Sequence, residues 1–223
     1  MTGNPAVIPS MTRLILIRHG ETDWNRSRTI QGQRDIPLND TGLAQAQAVA
    51  RHLAAEPIRA VYSSDLARAR ETARAIAEAH GLSIVDEPGL RERHWGRFQG
   101  FRFDEIAHLA PEAHARMLVR EPDYAVDGGG ESIVMLVDRV REVLGRLARA
   151  HAGESIVAIG HGGVLDATWR IATGLALDAP RAFALPNAAI NIIEGDGQAW
   201  QVREWAVTSH LDGLARYDEL SER

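Results

Sequence analysis

Apolar residues along the chain follow two periods. Leu14-Ile15-Leu16-Ile17 and Ile156-Val157-Ala158-Ile159 are unbroken apolar runs rich in β-branched side chains. Each reads as a strand buried on both faces, as in a parallel sheet covered by helices. Shorter runs at 58–62 and 83–86 read as further strands. Between them the spacing turns helical. Leu43, Ala46, Val49, Ala50 and Leu53 follow the start signal Asn39-Asp40-Thr41-Gly42. Leu66, Ala69, Ala73, Ile76 and Ala77 mark a helix over 65–80, with Ser64 as its N-cap and Gly81 as its end. Ile133, Leu136, Val137, Val140, Leu144 and Leu147 mark a long one over 132–151, and another starts at Val164. Runs at 187–194 and 198–205, around Gly195-Asp196-Gly197, read as a hairpin that finishes the sheet.

Strands alternating with helices predict an α/β fold: a three-layer sandwich, with a mostly parallel central sheet and helices on both faces. Two stretches break the pattern. Residues 22–39 are polar and turn-rich, a loop lying over the end of the first strand. Residues 97–127 hold scattered aromatics broken by Pro111 and Pro122, and read as one or two short helices in a small cap insertion. Residues 1–10 read as a disordered tail and 11–223 as a single domain, its end from Ser209 partly ordered.

Composition narrows the chemistry. A hydrophobic fraction of 45% is ample for a full core. The net charge of −5 offers no basic field for nucleic acid. No apolar run approaches the roughly 18 residues of a membrane span, and the first ten residues do not read as a signal peptide; the expectation is a cytoplasmic protein. Cysteine is absent, which excludes disulfides, thiolate zinc sites and a Cys nucleophile. All 25 basic residues are arginine, so any phosphate clamp must be built from guanidinium, which grips oxygens in a bidentate fork.

Both long strands end alike, in Arg18-His19-Gly20 and in Gly160-His161-Gly162-Gly163. Ligands of open α/β sheets bind outside the carboxyl ends of strands, so both imidazoles reach one crest. Arg18-His19-Gly20-Glu21-Thr22 after an apolar strand resembles the histidine phosphatase superfamily, the phosphoglycerate-mutase-like enzymes. The resemblance extends through Ser63-Ser64-Asp65-Leu66-Ala67-Arg68 and Glu92-Arg93-His94-Trp95-Gly96 to His161, over about residues 11–207. It implies His19 as nucleophile, His161 as second histidine and Glu92 as acid. It also implies Arg18 and Arg68 as phosphate ligands, with Asn25 and Gln31 lining the pocket. Arg68 sits in the first turns of its helix, where the N-terminus favours an anion, and the Gly162 and Gly163 amides are placed to do the same. Trp95 and Phe98 are expected to shield Glu92 so that it keeps its proton, while Arg91 and Arg93 act against that. Glu131 either meets the phosphate site or orients a pocket residue. His94 packs beside Glu92, and the remaining histidines show no metal-ligand pattern.

The expected reaction is metal-independent hydrolysis of a phosphomonoester through phosphohistidine, with a small phosphorylated substrate, inorganic phosphate as product and no cofactor. A homodimer is possible. Two alternatives stand beside it. The bisphosphoglycerate-dependent mutases carry a Lys near the position of Phe103 and a downstream Arg-Arg pair; both are missing, which favours a phosphatase. A non-catalytic phosphate-binding regulatory module would bind phosphate without turnover.

Overall fold

The computed structural model describes residues 11–214. The expected tail at 1–10 and the chain beyond 214 lie outside the described residues. Six strands form one sheet: β1 (Thr12–Arg18), β2 (Ile58–Ser63), β3 (Ile84–Asp86), β4 (Ser155–Gly160), β5 (Ile190–Gly195) and β6 (Trp200–Val207). Their order is β3-β2-β4-β1-β5-β6. β3, β2, β4 and β1 run parallel; β5 and β6 add an antiparallel hairpin at one edge.

Side-chain alternation on β1 shows why its middle, residues 14–17, carries no polar position. Ile15 and Ile17 enter one core with α2 (Asp40–Leu53) and α3 (Ala67–His80), while Leu14 and Leu16 enter the other with α6 (Ile133–Ala150) and α7 (Gly162–Thr173). All four are fully buried, each contributing about 1.5–3 kcal/mol of transfer free energy. β4 divides the same way, with Val157 and Ile159 against Ile156 and Ala158. The three-layer sandwich is therefore present.

The helix starts are chemical. Asn39 Oδ1 accepts the Gly42 amide at 2.9 Å, and Ser132 Oγ accepts that of Met135 at 3.1 Å. α3 departs from expectation. It begins at Ala67 with Leu66 as N-cap and no side-chain cap of its own. Asp35, from the loop after β1, supplies the oxygen instead, accepting the Ala67 amide at 2.7 Å. Ser64 does not cap the helix, because its hydroxyl is turned to His161.

The insertion contains α4 (Phe103–Leu109) and α5 (Pro111–Leu118) around a small core of Phe98, Ile106, Ala113 and Val126. It is stitched to the loop after β1, which holds α1 (Asp23–Arg26), by Ile30 N–H to Phe101 O and Gly100 N–H to Ile30 O. After β6 the chain does not hang loose at once. Ser209–Leu211 forms a 3₁₀ turn that buries Leu211 in the α2–α3 core. Among the described residues, no helix is long and apolar enough to cross a membrane.

Candidate active site

Sheet register sets the site. Arg18 pairs with Gly160 across β1 and β4, and the His19 amide donates to Gly160 O at 3.0 Å. Each next residue is therefore a histidine at the same level. The chain after β1 leads to α2 on one face, and the chain after β4 enters α7 on the other. The crevice between them is a topological switch point, where α/β sheets bind ligands. The two imidazole centroids are 5.1 Å apart, with ring planes at 57°.

His19 sits where a side chain on its neighbour is excluded: a Cβ at Gly20 would lie 2.5 Å from Gly42 O. That close approach seats the start of α2 against the loop. His19 Nδ1 donates to Gly20 O at 2.7 Å, which leaves Nε2 with a lone pair. That lone pair accepts from Arg68 Nε at 3.3 Å. Burial, then the charges of Arg68 and Arg18, hold the imidazole well below its usual pKa, so it is neutral. The loop is pinned from behind by Asn187, whose Nδ2 donates to His19 O at 2.9 Å, and by the Ala188 amide on Arg18 O at 3.0 Å.

Arg68 is fully buried. Its NH1 and NH2 donate to Arg34 O at 2.8 Å and Gly32 O at 2.7 Å. Burial lowers its pKa to about 10, while Glu92 and Asp35 oppose that shift; it remains a cation at neutral pH. Thr72 joins it to the loop that carries His19: the hydroxyl donates to Arg68 O at 2.8 Å and accepts from the Gly20 amide at 3.0 Å. Arg18 is buried, donates to Leu185 O and lies beside Gly162, where a Cβ would stand 3.6 Å from its Cζ. His161 is also fully buried and also held well below its ordinary pKa, by burial first and then by Arg68.

Glu92 closes the site, but not as expected. Both carboxylate oxygens lie 3.1 Å from the Gly163 nitrogen, and Oε1 accepts the Arg93 amide at 2.6 Å. The Gly163 amide is therefore taken up by the Glu92 carboxylate. The flanking groups are engaged elsewhere. Arg91 forks onto Asp65, and Arg93 donates to Glu131 O and Tyr124 O while stacking 4.4 Å over the Trp95 ring. Phe98 packs in the insertion core instead of shielding the carboxyl.

Asn25 and Gln31 are both buried. Asn25 Oδ1 accepts from the Thr22 amide and hydroxyl, capping α1, and its Nδ2 makes no hydrogen bond among the described residues. Gln31 Oε1 is buried without a hydrogen-bond partner among the described residues. Glu131 clasps Arg139 through two bonds of 2.8–2.9 Å, and Arg139 holds Gly89 O and Arg91 O. It thus anchors the segment that carries Glu92. Ser64, Thr72, Asn187 and Gln33, which donates to Glu92 O at 3.0 Å, escape the sequence because each acts on a distant partner. Among the described residues, no group of three His, Asp or Glu side chains is arranged to hold a metal ion.

Two neutral imidazoles ringed by buried guanidiniums can bind and transfer a phosphoryl group, and the comparisons agree. The family model for the histidine phosphatase superfamily (branch 1) matches residues 14–208. The chain belongs to the histidine phosphatase superfamily. It is 40% identical, over 92% of its length and 85% of the relative's, to a metal-independent phosphoserine phosphatase of Arabidopsis thaliana. It is 35% identical to a probable phosphoglycerate mutase of Serratia proteamaculans, covering 94% and 99% of the two chains. A solved phosphoserine phosphatase of Entamoeba histolytica, in complex with 3-phosphoglyceric acid, superposes with a TM-score of 0.81 at 29% identity, covering 90% and 99%. As a histidine phosphatase the chain is a phosphoric monoester hydrolase.

Proposed function

We propose that this histidine phosphatase hydrolyses a small phosphomonoester through a phosphohistidine on His19, without a metal. The observation that carries the reading is the His19 tautomer. Nδ1 is spent on Gly20 O, so Nε2 offers its lone pair into a pocket where Arg68 is 3.3 Å away. A neutral imidazole held in line is a competent nucleophile. Arg18, Arg68 and His161 neutralise charge on the equatorial oxygens, with Asn25, Gln31 and the Gly162 amide as further donors. Glu92 protonates the leaving alkoxide and then takes a proton from the attacking water. The insertion at 97–127 covers the pocket and selects the leaving group.

Kinship with enzymes acting on phosphoserine favours a small phosphorylated carboxylate as substrate. Hydrolysis is favoured over mutase chemistry because Phe103 packs against His114 within the insertion, with ring centroids 4.9 Å apart and planes tilted by 59°, and brings no cation to the site. The test is His19→Ala. It should abolish turnover and acid-labile labelling by phosphorylated substrate; retained turnover would reject the reading. Incubation with 3-phosphoglycerate, with and without the bisphosphate, should yield phosphate and no isomer.

A further inference from the structure

Ser64 and His161 are both fully buried, and Ser64 Oγ lies 2.9 Å from His161 Nε2. The same hydroxyl oxygen faces the Leu66 amide at 3.4 Å, so a lone pair is engaged there and the hydroxyl proton is left for the ring. A neutral imidazole has one donor and one acceptor nitrogen. If Nε2 accepts, the proton resides on Nδ1. Nδ1 is itself buried and has no hydrogen-bond partner among the described residues. Unsatisfied buried polar atoms are costly, and they persist where a ligand completes them. The ring stands 5.1 Å from that of His19, which leaves an oxygen of the transferring group as the missing acceptor.

We propose that Ser64 is a positioning residue that fixes His161 in its Nδ1–H tautomer, so that the neutral ring presents a hydrogen-bond donor to the phosphoryl oxygen. The inference deepens the hydrolase reading and rests on it. Both rings then carry their proton on Nδ1, to opposite ends. His19 spends that proton on Gly20 O and keeps a lone pair for attack; His161 spends its lone pair on Ser64 and keeps a proton for the substrate. Without the hydroxyl nothing holds the His161 proton on Nδ1, and a ring protonated on Nε2 would turn a lone pair towards an anionic oxygen.

The test is nitrogen NMR on the full chain labelled with 15N-histidine, alongside kinetics. In the wild type the His161 Nδ1 should show the shift of a protonated imidazole nitrogen, and added inorganic phosphate should move it. Ser64→Ala should move the proton to Nε2 and lower kcat about tenfold or more, with KM changed less than about threefold. Ser64→Thr, which keeps the hydroxyl, should restore the tautomer and most of kcat. A wild-type ring protonated on Nε2, or a Ser64→Ala protein that keeps Nδ1–H or full kcat, overturns the proposal. The wild-type spectrum decides the matter if Ser64→Ala does not fold. A wild type with Nδ1–H but no phosphomonoesterase activity would overturn the hydrolase reading and leave the tautomer assignment standing.

Discussion

The carboxylate of Glu92 straddles the Gly163 amide, with both oxygens 3.1 Å from its nitrogen. The first turn of α7 thereby fixes where the Glu92 carboxyl sits. A Cβ at Gly163 would lie 2.2 Å from Glu92 Oε1, so the glycine is required by the acid and not by the helix. Gly163→Ala should displace the carboxyl and lower kcat about 100-fold, the scale of a lost proton donor. Helical propensity favours alanine, so the melting temperature should hold. The loss should shrink for a substrate whose leaving group needs no proton, such as an aryl phosphate bearing nitro groups. An equal loss on both substrates would contradict the role.

Arg68→Lys tests the clamp. The guanidinium makes three directed contacts at once, to His19 Nε2, Gly32 O and Arg34 O. An ammonium cannot reproduce that planar fork. The variant should keep its fold and lose about 100-fold in kcat/KM. Protection against unfolding by inorganic phosphate should weaken in step.

The two histidines make stability depend on pH with a definite sign. Their folded pKa values lie well below 6.5, chiefly through burial. As pH falls below about 6.5, the unfolded chain takes up protons that the folded site refuses, so stability falls. The slope is at most about 1.4 kcal/mol per pH unit for each ring. Thermal melts between pH 7.5 and 5 should decline for the wild type and decline less steeply for His161→Gln, which keeps only the His19 contribution. The acid limb of kcat/KM should likewise fall well below the ordinary histidine range.

Glu131→Gln separates anchoring from phosphate contact. The Glu131–Arg139 pair is largely buried, with side chains 12% and 23% exposed. Breaking it frees the carbonyls of Gly89 and Arg91 and should cost about 1–3 kcal/mol. Because the acid segment loosens while the phosphate clamp is untouched, kcat should fall and KM should change little. A rise in KM alone would place Glu131 on the substrate.

The sequence disclosed the parts whose chemistry is local. An apolar run, a histidine and a glycine lie close together in the chain, so the positions of His19 and His161 follow from β1 and β4 alone. Asn39 and Ser132 cap their helices because the amides they accept from lie three residues ahead. Ser64 stands in the same sequence context and is not a cap. Its hydroxyl finds a stronger partner in His161, and Asp35 takes over the helix end. The environment of Glu92 was hidden for the same reason. Trp95 and Phe98 are its neighbours in sequence, but its contacts include a glycine on another helix. Partners that only the folded sheet brings together leave no period to read.

The pairing of Arg18 with Gly160 has a kinetic meaning as well. β1 and β4 are neighbours in space drawn from distant parts of the chain, so the loop between them must close before either imidazole has company. Such long-range closure is slow relative to helix formation. During refolding, helical signal should therefore return ahead of turnover, and a fragment ending before β4 would have one ring, no counterpart and no enzyme.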